Sequence, residues 1–158
     1  MSSVDEDRTP RLQRVVEGEF VAAEQKAIPV PDERTKPYWD AAKEHRFVLQ
    51  RCTACGLWNA TPRVICPRCH ASDFEWAQPS GKGIIHSYAI VHQTTAAGFQ
   101  DEVPYVIAHI VPIEEPTAFI DGNILIEEKD FDKLNIDVPV EVTFEDRGEV
   151  TVPQWKLA

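Results

Sequence analysis

Arg51-Cys52-Thr53-Ala54-Cys55-Gly56 and, a little further on, Cys66-Pro67-Arg68-Cys69-His70 are the stretch on which the reading of this chain turns. They hold all four of its cysteines, in the pattern C-x2-C-x10-C-x2-C. A C-x-x-C turn presents two sulfurs at once, and a short hairpin carries a second such turn to meet the first. Four soft ligands at one point suit a tetrahedral metal. The simplest reading is one structural Zn2+ held by Cys52, Cys55, Cys66 and Cys69. Four thiolates leave no open coordination position, so the metal is expected to support folding and to take no part in chemistry.

Three other readings compete. Disulfides need an oxidising compartment, and the charged opening Met1-Ser-Ser-Val-Asp-Glu-Asp-Arg8 has no apolar signal core. Cys66-Pro-Arg-Cys69-His70 matches the c-type haem motif, but haem attachment would leave Cys52 and Cys55 idle. Iron in a rubredoxin-like centre uses the same four-sulfur geometry.

Outward from the cysteines, the chain of 158 residues has room for one ordinary domain or two small ones. No apolar run approaches the roughly 20 residues of a membrane helix, so a cytoplasmic protein is expected. Charge is uneven. Residues 100–158 carry 14 acids and 4 bases, residues 43–99 carry 6 bases and 3 acids, and residues 1–42 carry 6 bases and 9 acids. The net charge of −10 opposes a phosphate backbone, so nucleic acid is a disfavoured partner.

Residues 1–34 read as an extension in which Leu12, Val15, Val16, Glu19 and Phe20 keep a rough helical spacing. This is either a frayed amphipathic helix or an arm that wraps a partner. Ile28-Pro-Val-Pro31 makes an extended spacer. Thr35 is placed to cap a helix with Pro37 in its first turn, running to about Glu44 and burying Tyr38, Trp39, Ala41 and Ala42. Phe47–Cys52 reads as a strand entering the first metal turn.

Pro79-Ser-Gly-Lys-Gly83 marks the clearest boundary. Beyond it, β-rich runs fall at Ile84–His92, Val103–Val111, Ala118–Ile126, Val138–Asp146 and Val150–Leu157, with a short helix or turn at Phe131–Ile136. Five short strands without a long helix suggest a small antiparallel barrel, of OB or SH3-like type. The expected parts are the extension, a helix with the ribbon over residues 35–80, and a barrel over 81–158.

The order of parts resembles a known family. Pro37-Tyr-Trp39, Phe47-Val-Leu-Gln-Arg-Cys52, Cys55-Gly56, Cys66-Pro-x-Cys69, Gly81-x-Gly83, Pro104-Tyr-Val106, Val138-Pro-Val140 and Phe144-Glu-Asp146 follow one another as in the acyl-CoA-associated proteins that join a rubredoxin-like zinc ribbon to an OB-fold. The likeness covers roughly residues 28–158, and His70 departs from the usual glycine after the second turn. It implies a mainly β protein with an N-terminal helix, a zinc ribbon and a five-stranded OB-fold. It also implies a subunit that supports a thiolase-like acyl-CoA enzyme, such as an acetyltransferase, lipid-transfer-type thiolase or aldolase of steroid or fatty-acyl side-chain metabolism. A MaoC-like hydratase is a further partner and acyl-CoA a further ligand on that reading.

The residues agree with an accessory role. Thiolase chemistry needs a nucleophilic cysteine and a base, and the metal would use every cysteine. No P-loop, nucleophile elbow or dinucleotide fingerprint occurs. His45, His70, His86, His92 and His109 are the available bases. Simple alternation puts His86 and His92 on one face with Ile84, Tyr88 and Ile90, where a lone histidine reads as structural. Asp121 and Glu127 read as solvated strand-end charges. Phe99, alone among small residues in the loop Gln93–Glu102, is either an apolar tip for a partner or acyl group, or folds back on its own barrel. Tyr105 reads as strand core with its hydroxyl at the rim, and with Phe99 it is the candidate contact for a partner or acyl-CoA. Trp58, Trp76 and Trp155 fall at the ribbon–barrel seam or in the core. The rival classes are a single-stranded nucleic-acid-binding ribbon/OB protein and a rubredoxin-like electron carrier.

Overall fold

The computed structural model describes residues 26–158. The helical spacing read in Leu12–Phe20 lies outside the described residues.

Helix α1 spans Lys36–Lys43, and its start differs from the expectation. Thr35 makes no side-chain cap. Asp32 does: its carboxylate accepts from the Thr35 amide at 2.7 Å, while Thr35 Oγ1 accepts from the Asp32 amide at 3.0 Å. This reciprocal pair is a capping box set three residues earlier, and the Lys36 amide already donates to the Asp32 carbonyl at 2.8 Å. The helix stops where His45 takes a left-handed φ of 53° and the Arg46 amide closes onto the Ala41 carbonyl at 2.9 Å. Ala41 and Ala42 are buried, and the helix packs towards the last strand of the chain.

Strand β1 (Leu49–Cys52) lies between β2 (Trp58–Asn59) and β3 (Phe74–Ala77), antiparallel to both. The ribbon's own apolar cluster is small: Cys52, Leu57 and Cys66, with Phe74 packed against it. Such a unit draws its stability from metal. The buried Gln50 pins the loop between the cysteine turns, donating to the Arg63 carbonyl at 3.0 Å and accepting from the Arg63 amide at 2.7 Å.

The remaining strands are β4 (Lys82–Val91), β5 (Tyr105–Pro112), β6 (Ile120–Ile124), β7 (Pro139–Arg147) and β8 (Val150–Leu157). They close into a barrel in the order β4-β5-β6-β8-β7. Every pair is antiparallel except β6–β8, which meet in parallel at Ile124 and Trp155 alone. This is a five-stranded Greek-key barrel, the OB-fold. Gly83 lets β4 start pressed against β5, since a Cβ there would lie 2.6 Å from Ile110 Cγ2 and 2.8 Å from the Val111 carbonyl oxygen.

Three local expectations change. The strand into the metal site begins at Leu49, and Phe47 instead enters the barrel core, its ring edge-on to Trp155 at 5.8 Å. The short helix expected at Phe131–Ile136 is a 3-10 helix over Glu128–Lys133 that delivers Leu134 to the core. A β-bulge between Ile85 and Ser87 inverts the alternation of β4. Ile85 points inward before it, and Tyr88 and Ile90 after it pair with the inward Ala108 and Val106. His86 falls in the bulge and His92 beyond the strand, so the face predicted to join them to Ile84 does not exist.

Phe47, Leu49, Ile85, Val106, Ile110, Val140 and Trp155 lead the main core. Two of these come from the chain entering the ribbon, which therefore shares its core with the barrel.

Candidate functional site

The two cysteine turns are near copies. In the first, the Gly56 amide donates to the Cys52 carbonyl at 2.8 Å and the Cys52 amide to the Leu57 carbonyl at 2.9 Å. In the second, the His70 amide donates to the Cys66 carbonyl at 2.9 Å and the Cys66 amide to the Ala71 carbonyl at 2.8 Å. His70 adopts a φ of 62°, matching the 75° of Gly56, so the missing glycine leaves the turn intact at the cost of backbone strain.

All four thiols are free, and their sulfurs lie within 4.8 Å of one another. Cys52 Sγ is 3.6 Å from Cys69 Sγ, and Cys55 Sγ is 3.6 Å from Cys66 Sγ. Zinc–sulfur bonds of about 2.3 Å give a tetrahedron with edges of about 3.8 Å. The cluster therefore fits one structural zinc. Burial opposes the Cys66 thiolate, but the backbone amides of Cys69 and Arg68 donate to its sulfur and bring its pKa down to about 6.

Arg68, inside the second turn, ties the metal site to the barrel. Its Nη2 donates to both carboxylate oxygens of Glu115, at 3.1 and 3.2 Å, and the Thr117 hydroxyl adds a bond at 2.7 Å. Glu115 sits in the β5–β6 loop with its side chain only 7% exposed. Burial works against its charge, yet Thr117 and Arg68 outweigh burial and hold its carboxyl below the usual range.

The barrel's outer face carries a groove of about 630 Å3. Its floor is the outward row of β4, β5 and β6, including Ala89, Ile107, His109 and Asp121, and Pro153 forms part of one wall. Gln154 seals the gap where β6 and β8 part: its Oε1 accepts from the Asn123 amide at 2.8 Å and its Nε2 donates to Glu145 at 3.0 Å. Phe99 closes one end, leaning on Tyr105 with ring centres 5.1 Å apart. Lys26 Nζ and the Arg147 guanidinium lie 4.8 and 5.7 Å from the Phe99 ring. Both cations are held by Glu145, at 2.6 Å from Lys26 and 2.7 Å from Arg147. Burial disfavours the Glu145 charge, but Arg147, Lys26 and Gln154 overcome it and bring its pKa down to about 2.

Comparison with known proteins places this architecture. The model of the ChsH2 rubredoxin-like zinc ribbon domain matches residues 39–75, and that of the ChsH2 C-terminal OB-fold domain matches residues 76–145. A DUF35 domain-containing scaffold protein of Methanothermobacter thermautotrophicus is 38% identical over 103 residues, covering 65% of this chain and 74% of that protein. The chain belongs to the DUF35 family. A probable enoyl-CoA hydratase alpha subunit of Thermomonospora curvata is 33% identical over 127 residues, covering 79% of this chain. This DUF35 chain spans 38% of the length of that protein and 55% of a second DUF35 scaffold protein, from Methanocaldococcus jannaschii. Among solved structures, the Ltp2-ChsH2(DUF35) aldolase contains a chain that matches with a TM-score of 0.71 at 29% identity, over 82% of this chain and 98% of that one.

On this DUF35 chain the structure brings the four cysteines together and packs Tyr105 against Phe99, which lines the groove. It does not gather the histidines into one centre. His109 Nδ1 contacts Asp121, and His45 stacks on Phe144 and meets Asp146 at 3.1 Å. Trp155 is core, while Trp58 packs against the core and faces Arg51. Sequence reasoning missed Glu115, the Lys26–Glu145–Arg147 cluster and the groove itself. Each joins residues far apart in the chain, so no local spacing announces them. Among the described residues, no helix is long and apolar enough to cross a membrane.

Proposed function

We propose that this protein is a non-catalytic subunit that binds and supports a thiolase-like acyl-CoA enzyme. The observation that carries the reading is the match to nearly the whole of a DUF35 chain in an aldolase structure, at 29% identity. The site geometry supports it. Cys52, Cys55, Cys66 and Cys69 are the proposed zinc ligands, and with all four gathered on one closed cluster no cysteine is left as a nucleophile. The partner supplies the chemistry, and this chain supplies a rigid ribbon and a barrel face. The Phe99–Tyr105 pair is the proposed contact with the partner or its acyl-CoA. The likeness to a probable hydratase alpha subunit makes a MaoC-like hydratase the second candidate partner. The net charge of −10 argues against nucleic acid on the barrel face.

The test is native isolation from the cells that make the protein, with mass spectrometry of the intact complex. A thiolase-like or hydratase-like protein in fixed stoichiometry is the expected result. Recovery of the chain alone under gentle salt would overturn the proposal. Phe99→Ala should then weaken partner association while leaving the fold intact.

A further inference from the structure

The loop between the two cysteine turns carries two aliphatic side chains that none of the described residues covers. Val64 is 64% exposed and its neighbour Ile65 58%. The ribbon has an apolar cluster of its own, with Leu57 and Phe74, and neither residue joins it. The loop is anchored at both ends. On one side the backbone amide and carbonyl of Arg63 are both bonded to the Gln50 side chain, at 2.7 and 3.0 Å. On the other, Cys66 is fully buried and its amide donates to the Ala71 carbonyl at 2.8 Å. Pro62 and Pro67 fix φ just outside these anchors. Gln50 is only 6% exposed, and a buried amide is tolerated where its hydrogen bonds are made. Both bonds it makes go to this loop, so a buried polar position of β1 serves to shape the tip.

The charge around the tip is opposite to that of the chain. Residues 45–72 hold four arginines and no acid, in a chain of net charge −10. Arg46, Arg51 and Arg68 each meet a carboxylate, of Glu44, Glu75 and Glu115. The exposed Arg63 meets none among the described residues. An open guanidinium beside two aliphatic side chains complements an apolar pocket that has a carboxylate at its rim. The anchoring matters because a loop already held in place loses little freedom on binding. We infer that Val64 and Ile65 insert into such a pocket on the acyl-CoA enzyme, with Arg63 against the carboxylate at its rim. This rests on the reading of the chain as a subunit, and adds a contact to the Phe99–Tyr105 pair.

The experiment takes the full zinc-loaded chain and the thiolase-like or hydratase-like protein recovered with it, and measures their affinity by biolayer interferometry. Ile65→Asp should weaken association about ten-fold or more, as burial of one aliphatic side chain predicts. Ile65→Leu should stay within about three-fold of the parent. Ile136→Asp changes an isoleucine of similar exposure, 57%, in the β6–β7 connection, and should leave affinity at the parent value. Arg63→Ala should weaken association and reduce its dependence on salt. The zinc content and Tm of Ile65→Asp should match the parent, because the side chain is exposed in the free chain; Val64→Asp takes its place if they do not. Affinity that is unchanged in the aspartate variant of the tip, or lost equally in Ile136→Asp, would overturn this inference and leave the subunit reading standing. A parent chain that brings no such protein with it would overturn both.

Discussion

Glu115→Ala tests whether the metal turn and the barrel are fastened by one carboxylate. The parent side chain is buried and accepts from Arg68 at 3.1 and 3.2 Å and from Thr117 at 2.7 Å. Hydrogen bonds to a charged group contribute roughly 1.5–3 kcal/mol when well enclosed. Arg68 is half exposed, so its share is discounted towards about 1 kcal/mol. The Thr117 bond and the buried methylenes add about 1 kcal/mol. The expected loss is about 2 kcal/mol, equivalent to roughly 4–8 °C in Tm for a chain of this size. Urea unfolding of the zinc-loaded protein, followed by tryptophan fluorescence, measures it. The exposed Glu128→Ala serves as the control, with an effect within about 0.5 kcal/mol. Combining Glu115→Ala with Arg68→Ala should recover about 1 kcal/mol relative to the sum of the single changes. If Glu115→Ala unfolds with the control, or if the two changes add without coupling, the proposed fastening is wrong.

Other expectations follow from the same geometry. Cys66→Ser should bind less than one zinc per chain by elemental analysis and destabilise the ribbon; unchanged stoichiometry would remove Cys66 from the ligand set. His70→Gly should raise stability by about 1 kcal/mol, because glycine holds the left-handed turn without strain, and a lower Tm would contradict the strain assignment. Gly122→Ala should cost about 1–3 kcal/mol by overpacking, since the added methyl would lie 2.8 Å from Trp155 Cδ1; near-parent stability would mean the indole moves freely. Glu145 has its folded pKa depressed from 4.5 to about 2, so its contribution is full above pH 4.5 and is lost as pH falls towards 2. The stability gap between parent and Glu145→Gln should therefore narrow across that window, and a gap that stays constant would refute the assignment.

Much of this could be read from the chain because some signals are local. The paired C-x-x-C turns specify their own backbone, and Gly56 announces the left-handed residue that follows the first turn. His70 shows that the turn can be enforced without glycine when the surrounding bonds demand it. The break at Pro79–Gly83 and the strand runs after it gave the barrel its strand count, and the resemblance gave its type. What failed was also physical. An extra residue in β4 reverses the inward face and cannot be seen in a hydropathy pattern that reads nearly continuous from Ile84 to Val91. Thr35 and Asp32 are both good caps, and only the Lys36–Asp32 backbone bond chooses between them. The groove needs five strands and the Phe99 loop to be in place before it exists, so it has no signature in any one segment.

The meeting of β6 and β8 makes this barrel thin along one line. β4–β5, β5–β6 and β7–β8 share long ladders and β4–β7 three residue pairs, but here Ile124 faces Trp155, the Leu125 amide reaches the Trp155 carbonyl at 2.7 Å, and a glutamine side chain replaces further backbone. A side-chain amide can swing aside for the loss of two hydrogen bonds, whereas a ladder must give up its bonds together. Along this line the wall is held by the fewest backbone pairs in the barrel. The girth of the barrel along this line is thus set by one side chain, while the core packs around Trp155, much as a clasp sets the size of a ring.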